Sequence, residues 1–252
     1  MAGRWFGRLA LVTGASVGIG AAIARKLVIH GMTVVGCANN GIDKVKAIAD
    51  EMKPHAPGVL HPIKCDVSKE DEITDMFSEI KEKFGGVDVC VNNAGILVES
   101  SALTSGKTEY WRYMLEINVM ALAICTRESI YQMTERGIDD GHIFHINSLS
   151  GHRVFGSGFY AGTKHMVTAM TEGLRQELRE KKSNIRVTSI SPGIVRTEFA
   201  IRTHGDEEGN EIYNQMKNLE ADDIANSLVH ALHAPSYCQI HDILIRPIEQ
   251  ER

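Results

Sequence analysis

The sequence lacks the features that would place the protein in a membrane or on a nucleic acid. Among its 252 residues, no apolar run approaches the ~18 residues that a transmembrane helix needs. Lys and Arg together number 27 and Asp and Glu 32, for a formal net charge of -5. A mildly acidic protein has no positive surface excess to attract nucleic acid or an anionic membrane. We therefore expect neither partner.

Cysteine and metal-binding motifs are also scarce. The five cysteines are odd in number and form no CxxC pair, which argues against a disulfide framework and against a zinc site. The eleven histidines form no HExxH or comparable motif, so no metal site is expected. Free thiols are typical of a reducing compartment, and the N-terminal apolar run is too short for a signal peptide. The sequence therefore predicts a cytoplasmic protein.

Short apolar runs alternate with longer segments of helical periodicity. This alternation predicts an α/β fold, a parallel β-sheet with helices on both faces. The predicted strands cover residues 9–12, 33–38, 59–65, 87–92, 142–147, 186–190 and 242–245. The predicted helices cover residues 18–30, 43–53, 70–84, 108–135, 159–181 and 222–233. No linker, repeat or change in composition divides the chain, so we expect a single domain over residues 1–252.

Residues 196–220 interrupt this alternation. They are polar and turn-rich, with scattered apolar side chains, and follow the sixth predicted strand. Open α/β sheets bind ligands beyond the carboxyl ends of their strands. The segment is therefore predicted to be a substrate lid.

A glycine-rich turn, TGASVGIG at residues 13–20, joins the first predicted strand to the first predicted helix. Glycines allow a tight turn and a close approach of the backbone to a pyrophosphate, and the helix that follows offers its first N–H groups to phosphates. The strand–turn–helix context separates this turn from one that merely needs glycine. It predicts a dinucleotide site.

Tyr160 and Lys164 stand one helical turn apart in the stretch GFYAGTKHM. A cation beside a phenol favours the phenolate and lowers its pKa, so the tyrosine could serve as a general acid or base. An isolated YxxxK pair is more often part of an ordinary amphipathic helix. Its interpretation therefore depends on the rest of the chain.

Several motifs, in this order, resemble the short-chain dehydrogenase/reductase family. They are TGxxxGxG at residues 13–20, NNAG at 92–95, INSLSG at 146–151, YAGTK at 160–164 and SPG at 191–193. The resemblance extends over about residues 8–247. It implies a Rossmann-type sheet of seven parallel strands and an NAD(P)-dependent oxidoreductase.

The resemblance implies catalytic roles for four residues. Tyr160 would be the acid or base, Lys164 would tune its pKa and bind the nicotinamide ribose, and Ser148 would hold the substrate oxygen. Asn118 would hold a water molecule that links the lysine to solvent. Ser150 is an alternative to Ser148, which we prefer for its spacing to the following glycine.

The resemblance also implies a set of cofactor-binding residues. These are Gly14, Ser16, Gly18, Ile19, Gly20, Asn39, Asp66, Asn93, Ala94, Gly95, Tyr160, Lys164, Pro192, Gly193 and Thr197.

The end of the second predicted strand bears on which dinucleotide is bound. NAD-binding members usually carry an acidic residue where Ala38 stands, to bond the ribose 2′-hydroxyl. NADP-binding members of the family often carry Arg at the position of Asn39 or near Val17, and this chain has neither. The missing acid favours NADP, with NAD as the alternative.

Apolar side chains near the predicted catalytic residues favour a hydrophobic alcohol or carbonyl substrate. Those expected in the pocket are Ile96, Leu97, Val98, Val154, Phe155, Phe159, Phe199, Ile201 and Met216. Stretches such as VVGCA, CTRE and HDILIRP resemble insect farnesol-dehydrogenase-like proteins and the eleventh group of the vertebrate dehydrogenase/reductase SDR proteins. This resemblance implies a prenyl alcohol such as farnesol or a steroid-like compound.

Two further expectations concern activity and assembly. A non-catalytic, redox-sensing scaffold on the same fold is the alternative to an enzyme, although it would not need all four catalytic residues. By resemblance, the predicted helices 108–135 and 159–181 pair with those of a second copy, which predicts a homodimer or homotetramer. The expected contact residues are Met114, Ala121, Met170 and Leu174.

Overall fold

The strands and helices of the computed structural model, which describes residues 3–251, follow the predicted alternation closely. The strands are β1 (Leu9–Thr13), β2 (Thr33–Ala38), β3 (Val59–Lys64), β4 (Val89–Asn92), β5 (His142–Ile146), β6 (Arg186–Pro192), β7 (Val195–Arg196), β8 (Leu219–Glu220) and β9 (Asp242–Ile245). The α-helices are α1 (Gly18–Ile29), α2 (Ile42–Met52), α3 (Glu70–Phe84), α4 (Thr108–Leu115), α5 (Ala121–Glu135), α6 (Gly158–Glu180), α7 (Glu198–His204), α8 (Asp206–Asn214) and α9 (Ala221–His233). Residues 1, 2 and 252 of the predicted domain lie outside the described residues.

Seven strands form one sheet in the order β3-β2-β1-β4-β5-β6-β9, and every neighbouring pair is parallel. The predicted fold class, a single α/β domain with seven parallel strands, is therefore confirmed. The chain runs outward from β1 to β3 and then returns to place β4 on the other side of β1. Such a reversal opens a crevice at the carboxyl ends of the central strands.

Alternate residues of the central strands pack against helices on opposite faces of the sheet. In β1, Ala10 and Val12 belong to a core with residues of α1, α2 and α9. Leu9 and Leu11 belong to a second core with residues of α3, α5 and α6. Because successive side chains of a strand point to opposite faces, one strand supplies both cores. This explains why its sequence is apolar throughout rather than alternating.

The structure of the described residues can be compared with two predictions, namely that the chain has no transmembrane helix and no disulfide framework. Within residues 3–251, no helix combines the length and the apolar character needed to cross a membrane. All five cysteines are free, and Cys37, Cys65 and Cys90 are buried as small apolar side chains near the ends of strands.

The predicted helix over residues 108–135 is in fact interrupted. A π-helical turn, Glu116–Met120, separates α4 from α5. One extra residue in a turn barely disturbs the hydrophobic periodicity, so the sequence pattern did not reveal it. Asn118 lies in this turn, and π-helical turns are frequent at functional sites.

The predicted contact patch for a second copy is wrong at two of its four positions. Met114 is 0 % exposed and Ala121 is 3 % exposed within the single chain, so neither is available to a partner. The same helices instead expose Tyr113, Met120 and Met166. The side chains of Met114 and Ala121 pack inside the single chain, and helical periodicity alone does not distinguish an apolar face that is buried within the chain from one that meets a second copy.

The segment 196–220 is helical rather than turn-rich. It holds α7 and α8, flanked by the short parallel pair β7–β8. Thr197 caps α7, because its hydroxyl accepts a hydrogen bond from the N–H of Phe199 at 3.2 Å. Three acidic residues occupy the first turn of α8, where they complement the helix dipole. The capping threonine and the acidic first turn can be recognised in the sequence. Because the segment is polar, however, it was predicted to be turns rather than helices.

Candidate active site

The carboxyl ends of the central strands open into one large cleft with a volume of about 1770 Å³. All fifteen predicted cofactor-binding residues line it, although they come from turns far apart in the sequence. Ser148, Tyr160 and Lys164 also line the cleft, close to one another, whereas Asn118 is buried behind its wall.

Two caps set the positions of the serine and tyrosine hydroxyls. Ser148 follows β5 and begins a 3-10 turn, and its Oγ accepts a hydrogen bond from the N–H of Ser150 at 3.0 Å. Tyr160 lies in the first turn of α6, where its N–H donates to the Oγ of the capping Ser157 at 3.3 Å. The Ser148 side chain is close enough to the Tyr160 hydroxyl to lower the pKa of the phenol. Ser148, rather than Ser150, is therefore the serine in contact with the phenol.

Lys164 lies one turn further along α6 and is only 4 % exposed. Its Nζ donates a hydrogen bond to the carbonyl oxygen of Ile146, at the end of β5, at 3.0 Å. The same Nζ lies 5.9 Å from the centre of the Tyr160 ring. Burial disfavours the charged amine and lowers the pKa of Lys164 to about 8.

Lys164, which was expected to lower the pKa of Tyr160, is not among the groups that shift that pKa in this structure. Burial raises the pKa of Tyr160 to about 12, and the nearby Ser148 side chain lowers it only in part. The ammonium of Lys164 is directed at the carbonyl of Ile146 rather than at the phenolic oxygen. The phenol of Tyr160 is therefore protonated at neutral pH.

Asn118 holds the backbone that follows the NNAG motif. Its Oδ1 accepts from the N–H of Ile96 at 2.8 Å, and its Nδ2 donates to the carbonyl of the same residue at 2.9 Å. The second amide hydrogen is donated to Thr163 Oγ1, on α6, at 3.1 Å. The side chain thus ties the loop after β4 to the helix that carries Tyr160 and Lys164.

The NNAG motif also joins β4 to β1. The hydroxyl of Thr13 accepts the N–H groups of Asn93 and Ala94, each at 3.0 Å. The side-chain amide of Asn93 donates to the carbonyl of Thr13 at 2.8 Å and to that of Gly14 at 3.2 Å. The motif therefore supports the sheet at the same place where it lines the cleft.

The turn at residues 14–20 fits a pyrophosphate. Gly18 has a φ of 55°, which favours glycine. A Cβ on Gly20 would overlap the carbonyl oxygen of Gly14 and the side-chain amide of Asn93. Val17, the N-cap of α1, makes no side-chain capping hydrogen bond, so the first N–H groups of the helix remain for a phosphate.

Asp66 and Asn39 mark the opposite end of the cleft from Tyr160. The side-chain amide of Asn39 donates to Asp66 Oδ2 at 2.8 Å. Asp66 Oδ1 accepts from the N–H and the hydroxyl of Ser68 at 3.1 and 2.7 Å. Asn39 was expected from the sequence to bind the cofactor, but its side-chain amide already donates a hydrogen bond to Asp66.

Five of the nine apolar side chains predicted for the substrate pocket line the cleft, namely Ile96, Leu97, Phe155, Phe199 and Met216. The remaining four, Val98, Val154, Phe159 and Ile201, are not among its lining residues. Phe159 stacks on Trp111, with 5.5 Å between ring centres, and Val154 is 67 % exposed. Apolar residues that the sequence did not single out replace them, including Leu103, Leu149 and Ile212.

Polar residues on the outer rim of the cleft were also missed. Lys44, in the first turn of α2, donates to Glu198 Oε1 at 2.9 Å. The sequence could have indicated Lys44 by its position, since it lies in the first turn of the helix that follows the second strand. Residues 249–251 close another side of the cleft, just beyond the segment covered by the resemblance.

A trio of potential metal ligands on and beside α7 and α8 was not visible in the sequence either. His204 Nδ1 lies 3.7 Å from a carboxylate oxygen of Glu99 and 3.7 Å from one of Glu208. The ligand atoms of all three lie within 4.8 Å of one another. Exposed acidic groups are common without an ion, and we assign no metal role to them.

Comparison with known proteins agrees with this geometry. Residues 8–208 match the family described as short chain dehydrogenase. The chain is 55 % identical over 253 residues to dehydrogenase/reductase SDR family member 11 of Gallus gallus, covering 98 % of each chain. It is 45 % identical to farnesol dehydrogenase of Aedes aegypti, over 98 % of this chain and 99 % of that protein.

Among solved structures, the closed form of a serine dehydrogenase complexed with NADP+ superposes with a TM-score of 0.87. It is 27 % identical in sequence, and the match covers 97 % of this chain and 96 % of that one. The relatives give no support to the non-catalytic scaffold that the sequence left open. The chain belongs to the short-chain dehydrogenase family and is an oxidoreductase.

Proposed function

We propose that the protein is an NADP-dependent oxidoreductase that interconverts a hydrophobic alcohol with its aldehyde or ketone. The observation that carries this proposal is that Ser148, Tyr160 and Lys164 line one cleft together with the glycine turn at residues 14–20 and with apolar side chains such as Phe155 and Phe199. A prenyl alcohol such as farnesol, or a steroid-like compound, is the substrate class that we favour. The name of the Aedes aegypti relative supports the first of these.

The residues that line the cleft suit NADP. The turn at residues 14–20 and the first N–H groups of α1 would hold the pyrophosphate, and Asp66, which lines the same cleft, would contact the adenine. Pro192, Gly193 and Thr197 would flank the nicotinamide. When bound, the cofactor accepts or supplies the hydride.

Tyr160 supplies or accepts the proton that accompanies hydride transfer. With a pKa of about 12 it is a phenol at neutral pH, and so it can protonate the oxygen of a carbonyl substrate. In alcohol oxidation it must be deprotonated, which requires more positive charge nearby than the protein alone provides. Lys164 supplies part of that charge from one turn away.

Ser148 and Asn118 would act by holding other groups in position. The side chain of Ser148 is close to the phenol, so its hydroxyl can hold the same substrate oxygen and stabilise charge developing on it. Asn118 fixes Ile96 and Thr163, which keeps the loop after β4 in register with α6. Its Oδ1 retains a lone pair with which to hold the water predicted by resemblance.

The helices α7 and α8 would form the substrate lid. Phe199 on α7 lies 6.1 Å from the Tyr160 ring, between ring centres, so the lid reaches the reacting group. The N–H of Ala200 donates to the hydroxyl of Tyr213 at 3.1 Å, which ties the two helices together. Phe199 and Ile212, the apolar side chains that α7 and α8 place in the cleft, favour a hydrophobic substrate and exclude water from the reaction.

An assay of paired alcohols and carbonyls with both dinucleotides tests the proposal. Farnesol and a hydroxysteroid are expected to reduce NADP measurably, followed at the absorbance band of the reduced nicotinamide. Serine and a simple sugar serve as polar controls and are expected to be much poorer substrates. Turnover of the polar compounds alone would refute the substrate class, and silence across the panel with cofactor bound would refute the activity.

Cofactor preference is expected to reverse when Ala38 is replaced by aspartate. A carboxylate at the end of β2 would repel the 2′-phosphate of NADP and bond the 2′-hydroxyl of NAD. We expect the Ala38→Asp variant to bind NADP at least about tenfold more weakly relative to NAD, since one repelled charge costs on the order of 1.4 kcal/mol or more. Titration calorimetry with each dinucleotide measures the ratio.

The Ala38→Asn variant is the matched control, because it has the same shape without the charge. Its ratio of NADP to NAD affinity should remain near that of the wild type. An equal change in both variants would attribute the effect to size rather than charge.

We further propose that the chain assembles as a homodimer or homotetramer. Tyr113, Met120 and Met166, which are 49 %, 46 % and 44 % exposed, provide apolar surface on neighbouring helices for a self-complementary contact. Light scattering at micromolar concentration should give a mass of two or four times 27.8 kDa. A mass of one chain at every concentration would contradict this.

A further inference from the structure

Lys44 occupies a particular place on the rim of the cofactor cleft. It lies in the first turn of α2, directly after the loop of Asn39, Asn40 and Gly41, and all four residues line the cleft. Its Nζ donates to Glu198 Oε1 at 2.9 Å, across the cleft on α7. Lys46, two residues further along α2, is paired instead with Asp43 and is not among the lining residues.

Few other positively charged side chains line the cleft. Among the described residues that line it, the lysine and arginine side chains are Lys44, Lys164 and Arg202. Lys164 lies beneath Tyr160 and donates to the carbonyl of Ile146. Arg202 lies on α7 and donates to Glu198 Oε2 at 2.7 Å. Of the three, Lys44 alone belongs to the segment that follows β2, where the adenosine ribose is bound in dinucleotide folds.

The remaining donors near this loop are neutral. The amide of Asn39 is donated to Asp66, and the hydroxyl of Ser16 lies against Gly41, where an added Cβ would be 2.7 Å from it. A neutral donor bonds a phosphate about half as strongly as a charged one. A 2′-phosphate at this place therefore needs the ammonium of Lys44 for a charge-assisted bond.

We propose that Lys44 selects NADP over NAD by exchanging Glu198 for the 2′-phosphate of the cofactor. This inference rests on the NADP dependence proposed above and identifies the residue responsible for it. The exchange is favourable because the present ion pair is weak. Lys44 and Glu198 are 55 % and 41 % exposed, and ion pairs that are exposed to water contribute little to stability. A phosphate carries nearly twice the charge of a carboxylate.

Glu198 does not become isolated in this exchange. The hydrogen bond from Lys44 lowers the pKa of Glu198, and the one from Arg202 does so as well. Arg202 lies one turn further along the same helix and keeps its hold on Glu198 Oε2 when the lysine leaves. The carboxylate thus retains a cation, and the competing partner is released at little cost.

Binding measurements on the full chain, without turnover, test the proposal. Dissociation constants for NADP, NAD, 2′,5′-ADP and 5′-AMP are measured by calorimetry for the wild type and for Lys44→Gln. We expect the variant to bind NADP and 2′,5′-ADP about ten- to a hundredfold more weakly, with NAD and 5′-AMP changed less than about twofold. Lys44→Arg should retain the preference, because it keeps the charge. Lys46→Gln, the matched control on the same helix, should leave every constant unchanged.

Glu198 provides a second and independent variant. Glu198→Gln removes the competing charge and is expected to tighten NADP and 2′,5′-ADP several-fold without affecting NAD. In the double variant Lys44→Gln/Glu198→Gln, the affinity for NADP and 2′,5′-ADP should be no higher than in Lys44→Gln alone. The reason is that no ammonium is left for Glu198 to hold.

The outcomes separate this inference from the proposed function. An unchanged ratio of NADP to NAD affinity in Lys44→Gln, with the wild type still preferring NADP, would overturn the role of Lys44 alone. Tighter binding of NAD than NADP by the wild type would overturn the proposed cofactor and the inference together. A loss of both dinucleotides in Lys44→Gln, with a melting temperature like that of the wild type, would show a general role in binding and also refute selection.

Discussion

Turnover by the Tyr160→Phe variant is expected to fall by about a thousandfold or more, in both reaction directions. Phenylalanine keeps the ring and its packing but removes the hydroxyl that transfers the proton, and general acid–base catalysis contributes about 10²–10⁴-fold. Affinity for NADP should change less than about fivefold, because the cleft at residues 14–20 and at Asp66 is untouched. Steady-state kinetics and calorimetry measure the two quantities separately.

Tyr113→Phe is the matched control for this experiment. Tyr113 also lines the cleft, but it is 49 % exposed and lies on α4 rather than on α6 with Tyr160 and Lys164. Its removal should leave the rate within about twofold of the wild type. Near-normal activity of Tyr160→Phe would refute the mechanism, and an equal loss in both variants would attribute the effect to the shape of the pocket.

The Lys164→Met variant is expected to lose turnover and, at the same time, to fold more stably. Removal of the ammonium takes away the charge that favours the phenolate and a donor to the cofactor, so the rate should fall at least about a hundredfold and cofactor affinity should weaken. The free energy of unfolding of the cofactor-free protein should rise by about 2 kcal/mol at pH 7. Methionine has a similar length, and it places no charge in the core.

The gain in stability follows from the pKa of Lys164, which burial lowers from 10.5 to about 8. The folded protein binds this proton less tightly than the unfolded chain does, so the buried charge opposes folding at every pH below about 8. A pKa difference of this size corresponds to about 3 kcal/mol, from which the hydrogen bond to Ile146 subtracts about 1 kcal/mol. The destabilisation is lost as the pH rises from about 8 to 10.5.

Urea unfolding at pH 7 and at pH 10.5 tests this dependence. The difference in unfolding free energy between the variant and the wild type should be largest at pH 7 and should shrink at pH 10.5. Lys46→Met replaces a lysine that is 59 % exposed and should show no such dependence. A Lys164→Met protein that is less stable than the wild type at pH 7 would contradict the account.

Much of the fold could be predicted from the order of apolar runs. Parallel strands buried on both faces are apolar throughout, and the helices between them carry one apolar face, so each kind of element leaves a distinct pattern. The segment at 196–220 escaped because α7 and α8 are short, largely exposed helices that bury few side chains, among them Ala200 and Tyr213. The π-helical turn escaped because a single extra residue leaves the apolar pattern on either side almost unchanged.

Ser148, Tyr160 and Lys164 were predicted because their motifs, together with the others and in the same order along the chain, resemble those of the short-chain dehydrogenase/reductase family. The sequence by itself determined the alternation of strands and helices and the glycine turn, since these depend on apolar patterns and backbone requirements within about one element. Only the tertiary structure decided how the charges of Tyr160 and Lys164 behave. The hydrogen-bond partner of Lys164 and the burial of Tyr160 depend on packing among β5, α6 and the loop after β4, so the pKa of the tyrosine is raised where the sequence predicted a lower one. The ion pair of Lys44 with Glu198, 154 residues apart, likewise exists only once α2 and α7 meet across the cleft.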